Sequence, residues 1–307
     1  MPAVKTELPE KLRPFNFHKV NLTSHGETTE ATGECPFCLG NKWYCSPTSG
    51  LYDCKNPSCL DPDGKSGGNI YTFIRHLHAV SSATDAELEE VAHERKLTVE
   101  VLKRWGMVKS AIDGRWMLPG YGFNSEGKLK LNNLYRWTPM KQNDGTYKNR
   151  MLTTTDLKHC LGGVQFWDAS KKAAYINEGY FDGMAWESAL MKVKISGGKI
   201  VYTNEPSQSL YANANVVAVP GADTFKEDWP KLFKGIDVVL MYDSDHPKER
   251  KGKILPPGGW TGMKSAAKKL HGIAASISVV TWSSLGYNPD LPSGFDIRDA
   301  LTSEALL

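Results

Sequence analysis

Four cysteines restrict this chain more than any other feature: Cys35-Pro-Phe-Cys38 and, fifteen residues later, Cys54-Lys-Asn-Pro-Ser-Cys59. Zinc takes four soft ligands in a tetrahedron, and two short cysteine-bearing turns facing each other supply them. With all four positions filled by protein, the ion is structural and leaves no place for a substrate. The neighbours Pro36, Lys55, Asn56, Pro57 and Ser58 argue against a buried apolar cysteine cluster. Cys45, in the strand-like run 42–46, and Cys160 are read as spare. His76 and His78 follow on a helix and are read as surface or packing residues.

Clustered thiols bind metal where disulfides do not form. Residues 1–20 mix Lys, Glu, Pro and Asn without an apolar core, unlike a secretory signal. No apolar run approaches the roughly 20 residues that cross a bilayer. The expectation is a cytosolic protein with no membrane partner. Its 40% hydrophobic and 23% charged residues exclude wholesale disorder.

Five regions follow from the patterning. Residues 1–32 read as an irregular polar lead-in, and 33–80 as the zinc ribbon with short strands at 42–46 and 50–54 and a helix at 69–79. Residues 81–110 read as a helical connector with caps at Thr84 and Thr98 and a stop at Gly106. Residues 111–172 alternate strand-like runs with turns and carry ten Lys/Arg against five Asp/Glu, in a chain of net charge +3. Such a block suits a polyanion and equally suits a solvated basic face. From 173 to 307 the pattern becomes apolar strand then helix: strands at 173–177, 215–220, 237–242 and 276–280, helices near 181–193, 224–234 and 262–271. Strands this apolar fit a parallel sheet buried on both faces. The fold class is therefore α/β in the C-terminal part and α+β overall.

Acids fall at the ends of those strands. Glu178 follows the first, with Asp182 one turn into the next helix, and Asp243 and Asp245 follow the third. The carboxyl ends of parallel strands form the ligand crevice, so these acids converge there, and clustered carboxylates need cations such as Mg²⁺ or Mn²⁺. Asp296 and Asp299 reach toward the same mouth. A single acid at a strand end is usually a turn or cap; the combination is more specific.

Glu178-Gly-x-x-Asp182 with Asp243-x-Asp245 resembles the Toprim fold of bacterial-type primases, topoisomerases and some nucleases. Upstream, Cys35–Cys38, the run Leu51-Tyr-Asp-Cys54, Cys59 and the segment 67–74 resemble the zinc-binding domain of the same primases. The resemblance spans about residues 33–303 in the family order of zinc ribbon, basic subdomain and Toprim unit. It departs at 246–259, an insertion between Asp245 and the next helix, and in the long connection 195–213.

The resemblance implies a DNA primase that joins ribonucleoside triphosphates into short RNA primers on a single-stranded DNA template. It implies catalytic Glu178, Asp182, Asp243 and Asp245, with Mg²⁺ or Mn²⁺ held by Glu178, Asp243, Asp245 and Asp299. It implies cations for template and triphosphate from the basic block, with Arg115, Lys128, Lys130, Arg136, Lys148 and Arg150 as candidates. Trp43, beside Lys42 and near Tyr44 and Tyr52, either stacks a template base or covers a domain with little other core. The setting implied is the cytoplasm of a bacterial or phage-infected cell. No phosphate-binding loop is present: Gly64-Lys65-Ser66 lacks the leading glycine, replaced by Cys59. A helicase partner is therefore expected to be a separate chain. The rivals are a Toprim nuclease or recombination mediator, and a non-catalytic DNA-binding or helicase-loading relative.

Overall fold

Short strands around a metal have little apolar surface of their own, and here aromatic rings fill the centre of the ribbon. The computed structural model describes residues 9–15, 21–25, 28–60, 63–141, 147–250, 252–282 and 290–302. The chain divides into two units, residues 1–84 with 106–158 and residues 85–105 with 159–307.

In the first unit, strands β1 (Asn21–His25), β2 (Thr28–Gly33), β3 (Trp43–Cys45), β4 (Tyr52–Cys54) and β5 (Gly67–Gly68) form one antiparallel sheet in that order. Helix α1 (Ile70–Val80) follows, capped where Asn69 Oδ1 accepts the Thr72 N–H at 3.1 Å. Its apolar face, Phe73, Ile74 and Leu77, is buried against the sheet's aromatics. Phe73 lies 5.3 Å from both Phe15 and Tyr52, centroid to centroid, and Phe15 lies 5.7 Å from Trp43. The segment 1–32, expected to be irregular, thus supplies two strands and the buried Leu12 and Phe15. Its Thr- and Ser-rich strands show no apolar alternation, the pattern by which a strand is recognised.

Strands β6 (Val108–Lys109), β7 (Trp116–Phe123), β8 (Leu129–Lys141) and β9 (Tyr147–Leu152) form a second antiparallel sheet in that order. The turn between β7 and β8 is closed by Asn124 Oδ1, which accepts the N–H groups of Glu126 and Lys128. Met117 and Leu134 from this sheet join the ribbon's core.

The second unit opens with α2 (Asp85–Arg95) and α3 (Val99–Arg104), the latter capped by Thr98 Oγ1 accepting the Val101 N–H. Then come β10 (Ala173–Asn177), α4 (Tyr180–Met191), the hairpin β11 (Val193–Ser196) and β12 (Lys199–Tyr202), β13 (Ala214–Ala218) and β14 (Asp237–Met241). A second hairpin, β15 (Lys248–Arg250) and β16 (Lys253–Leu255), precedes α5 (Gly258–Leu270), β17 (Ser276–Val279) and α6 (Ile297–Thr302). Strands β13, β10, β14 and β17 form a wholly parallel sheet in that order. Strands β10, β13 and β14 bury Ala174, Ile176, Val216, Val217, Val238 and Leu240.

The helix expected at 224–234 is absent. Short 3₁₀ turns occupy Ala222–Thr224 and Pro230–Phe233. Pro230 has no N–H to donate into a helix, and Phe225, Trp229 and Phe233, whose spacing mimics a helical face, bury together as a ring cluster. No helix among the described residues is long and apolar enough to cross a membrane.

Candidate functional site

The sulfurs of Cys35, Cys38, Cys54 and Cys59 all lie within 4.8 Å of one another. Cys35 and Cys59 are 3.5 Å apart and Cys38 and Cys54 are 3.8 Å apart. Tetrahedral zinc with bonds of about 2.3 Å sets its sulfurs about 3.8 Å apart, so the four fit that ion. Burial pushes the Cys35 thiol up to about 11 and raises Cys59 as well. Cys38 is also penalised by burial, but hydrogen bonds from the Gly40 backbone and from Cys59 and Asn56 bring it down to about 7. Four crowded thiols cannot all ionise unless a cation sits among them. Cys45 stands apart on β3 opposite Tyr52, 1% exposed, and burial pushes its thiol up to about 12. Cys160 belongs to the other unit, is buried, and is likewise pushed up to about 12.

In the parallel sheet the chain passes from β10 to β13 on one side and from β14 to β17 on the other. The carboxyl ends of the adjacent strands β10 and β14 therefore border an open crevice. Asn177 pairs with Met241, which sets Glu178 beside the start of the loop after β14. The Asp243 N–H donates to Glu178 Oε2 at 3.2 Å. Asp245 Oδ2 accepts the Gly259 N–H at 3.0 Å, and its Oδ1 is 3.6 Å from Lys248 Nζ. A Cβ on Gly259 would stand 2.5 Å from the Asp243 carbonyl oxygen and 2.9 Å from Glu178 Oε2, so α5 starts this close only because residue 259 has no side chain.

Burial pushes Glu178 up to about 7 against the Asp243 N–H, with the Asp245 charge adding to the rise. Burial pushes Asp243 up to about 10, reinforced by Asp182 and Glu178. Among the described residues neither Glu178 nor Asp243 has a Lys or Arg partner. Asp182 differs: it accepts Arg298 Nε at 2.8 Å, and Arg298 also pairs with Asp296. Burial still pushes Asp182 up to about 6 despite that guanidinium. Asp299 pairs with Lys96 at 2.9 Å and accepts the Asp296 N–H. Glu178, Asp243 and Asp245 are thus brought to one mouth, with Lys248 at the edge beside Asp245, while Asp182 and Asp299 hold Arg298 and Lys96. The all-oxygen donors at this mouth suit Mg²⁺ or Mn²⁺. Among the described residues, though, only the four cysteines are gathered closely enough to hold an ion as they stand.

The basic residues separate by environment. Lys130 on β8 lines a cleft of about 710 Å³ with Tyr71, Arg75 and His78 of α1 and with Tyr121 and Asn132. Arg115 pairs with Asp113 at 3.4 Å and Lys128 with Glu126 at 3.1 Å, both at the surface. Arg136, opposite Met117, is buried, and burial lowers its pKa. Arg150 is exposed on β9 opposite Thr138. Lys148 pairs with Met140 in the same ladder, and its side chain lies outside the described residues. Trp43 is 0% exposed, so the ring considered for base stacking is a core residue of the ribbon.

Sequence reasoning did not single out Tyr71, Tyr121, Gly259 or Arg298. The Gly258-Gly259 pair behind Pro256-Pro257 was a readable sign of close backbone approach. Arg298, between Asp296 and Asp299, was a readable neutralising cation. The aromatic wall of the cleft had no such sign, because α1 and β7 meet only in three dimensions.

The chain thus combines an acid-lined crevice in a parallel sheet with a four-cysteine ribbon. No family model and no curated protein sequence matches the chain. Solved structures similar to it include the zinc-binding and RNA polymerase domains of the Aquifex aeolicus primase: 15% identity, 97% of this chain and 81% of that one, TM-score 0.42. Another is a bacteriophage T7 assembly of lagging-strand DNA polymerase with primase domains bound to an RNA/DNA hybrid and dTTP: 16% identity, 74% and 87% coverage, TM-score 0.41. A third is the primase fragment of the bacteriophage T7 primase-helicase protein: 15% identity, 68% and 67% coverage, TM-score 0.36.

Proposed function

We propose that this chain is a Toprim-type DNA primase that makes short RNA primers on single-stranded DNA, in the cytoplasm of a bacterial or phage-infected cell. The observation that carries the reading is the placement of Glu178 and Asp243 at adjacent strand ends, hydrogen-bonded to each other and lacking a protein cation among the described residues. Glu178, Asp243 and Asp245 would hold Mg²⁺ or Mn²⁺. Bound there, the ion would lower the pKa of the attacking hydroxyl and neutralise the departing pyrophosphate. Gly259 keeps the start of α5 against these carboxylates, and Arg298 holds Asp182 as a positioning residue.

In the first unit, the cleft lined by Tyr71, Tyr121 and Lys130 offers ring faces for bases and a cation for phosphate, the pattern of single-strand binding, while Arg75 beside them is paired with Asp63. Zinc at the four cysteines keeps the ribbon and α1 in place beside it. Ribonucleoside triphosphates are the substrates in this reading, and a helicase is a candidate partner. The test is a priming assay with labelled ribonucleotides on varied single-stranded DNA templates. Short RNA products are expected, lost in Asp243→Asn. Cleavage of the template without synthesis would replace this reading with a nuclease. Template binding without incorporation would leave a non-catalytic DNA-binding module.

A further inference from the structure

A segment of twelve residues, 246–257, separates Asp245 from α5 at the acid-lined mouth. It folds into the β15–β16 hairpin with Lys248 opposite Leu255, Glu249 opposite Ile254, and Arg250 opposite Lys253. Opposed residues of an antiparallel pair share a face, and successive residues alternate faces. Positions 248, 250 and 253 therefore share one face with Leu255, and Glu249, the only acid between 246 and 257, falls on the other with Ile254. The register sorts the basic positions from the acidic one.

The basic face stands at the crevice, since Lys248 Nζ is 3.6 Å from Asp245. The root of the hairpin is anchored: the His246 N–H donates to Ser293 Oγ, and Ser244 exchanges backbone hydrogen bonds with Gly294 and Phe295. Beyond it, on the first turn of α5, Trp260 is 49% exposed with Lys264 Nζ 5.5 Å from its ring centroid. Stability does not explain the hairpin. The Lys248 side chain is 69% exposed, so its ion pair contributes little, and Ile254 is 78% exposed. An isolated two-stranded hairpin is marginal in water. Cations ordered at an anchored hairpin, with an exposed indole beside them, are the chemistry that holds a nucleic-acid strand.

We propose that the β15–β16 hairpin is a cationic arm that grips a phosphodiester backbone at the acid-lined crevice, with Lys248 and Lys253 on phosphates and Trp260 offering a stacking face. The identity of the polyanion rests on the primase reading; the arm's geometry does not. The strand gripped is the single-stranded template, whose unpaired bases the exposed Trp260 can stack, and a preference for the RNA–DNA hybrid is the outcome that would reassign it.

The test is binding of the full chain to labelled oligothymidylate and to an RNA–DNA hybrid, by fluorescence anisotropy over a series of salt concentrations with EDTA present. Lys248→Ala/Lys253→Ala is expected to weaken binding about tenfold and to flatten the plot of log affinity against log salt by about 1.4 on the single strand, for two lost contacts. The probe more affected identifies the strand held. Lys248→Arg/Lys253→Arg is expected to restore both values. Affinity and slope unchanged for both probes in the alanine variant would overturn the arm, as would a loss that arginine does not rescue. Because divalent ions are absent and no synthesis is scored, loss of binding in a chain that makes no primers supports the arm while sinking the primase reading. Normal priming with unchanged binding does the reverse.

Discussion

The peptide N–H of Asp243 donates to Glu178 Oε2 across 3.2 Å, tying the loop after β14 to the end of β10. That bond favours ionised Glu178, yet burial and the charge of Asp245 outweigh it and hold the group near 7. Asp243 is held higher still, at about 10, by burial and by Asp182 and Glu178. At neutral pH Asp243 keeps its proton and Glu178 is near its midpoint, so a cation bound between them would displace protons.

Stability should therefore fall as pH rises when divalent ions are absent. Both carboxyls have folded pKa values above their ordinary 4.5 and 3.8, so the folded state binds more protons than the unfolded one. Their stabilising contribution is complete below those ordinary values and is lost as pH climbs through about 7 for Glu178 and about 10 for Asp243. Thermal melts in EDTA should show Tm dropping between about pH 5 and pH 9, with Mg²⁺ raising Tm most at the alkaline end. Asp243→Asn should flatten the slope. A wild-type Tm that does not respond to pH or Mg²⁺ would remove the crevice as a cation site.

Gly259→Ala should disturb the same place without changing a charge. The new methyl would stand 2.5 Å from the Asp243 carbonyl, a backbone atom that cannot swing aside, so α5 must retreat from Glu178 and Asp245. The expected result is a weaker Mg²⁺-induced rise in Tm and lower primer synthesis, with zinc content unchanged. Gly258→Ala, where the Cβ meets only Asp245 Oδ2 at 3.0 Å, should be milder. Equal effects from the two would argue against backbone approach as the cause.

Features carried by local spacing were legible in the sequence, and those carried by long-range partners were not. The cysteine turns are local, and their four sulfurs gather as the spacing requires. The apolar strands ending at Glu178 and Asp243 follow from composition, so the end of the sheet that bears these acids was readable. Phe225, Trp229 and Phe233 were misread because a spacing of four residues suits a helix and a 3₁₀-linked ring cluster alike, and Pro230 decides between them. Trp43 beside Lys42 suits a base platform or a core, and the choice depends on Phe15, a residue from the lead-in. Asp182 and Arg298 are 116 positions apart, beyond any local pattern.

Metal analysis should return one zinc per chain. Cys45→Ser should keep it, because Cys45 lies on β3 away from both turns, whereas Cys38→Ser or Cys59→Ser should release it. Chelation should expose Trp43, now wholly buried, and shift its fluorescence to the red. Loss of zinc from Cys45→Ser with retention in Cys59→Ser would overturn the ligand set.

Asp182 and Asp299, each paired with a protein cation, should separate cleanly by stability. Arg298 and Asp182 side chains are 14% and 9% exposed, so Arg298→Met leaves buried carboxylates uncompensated and should cost about 3–5 kcal/mol in denaturant unfolding. Asp299→Asn breaks a pair with Lys96 whose side chains are 38% and 47% exposed, and should cost no more than about 1 kcal/mol. Primer synthesis lost in Asp299→Asn at unchanged stability would support Asp299 as a metal ligand.

The cleft between α1 and β8 gives the most direct test of template binding. Tyr71 is 44% exposed on the first turn of α1, and Tyr121 sits where the β7–β8 register shifts. That irregularity re-aims the strand beside Lys130, so two rings and a cation line one concave surface. A base stacked on an aromatic ring contributes about 1–3 kcal/mol, and one phosphate contact contributes about 0.7 to the single-strand salt slope. Tyr71→Ala should therefore weaken oligothymidylate binding with its salt slope intact, whereas Lys130→Ala should weaken binding and flatten the slope. Tyr121→Phe should bind as wild type, because it keeps the ring and loses only the hydroxyl. Arg136→Ala, at a buried position, should lower Tm more than it alters binding. None of these residues is a zinc ligand, so metal content should stay constant throughout. If Tyr71→Ala and Lys130→Ala both bind like wild type while Arg150→Ala does not, the template lies along β9 and the cleft serves another purpose.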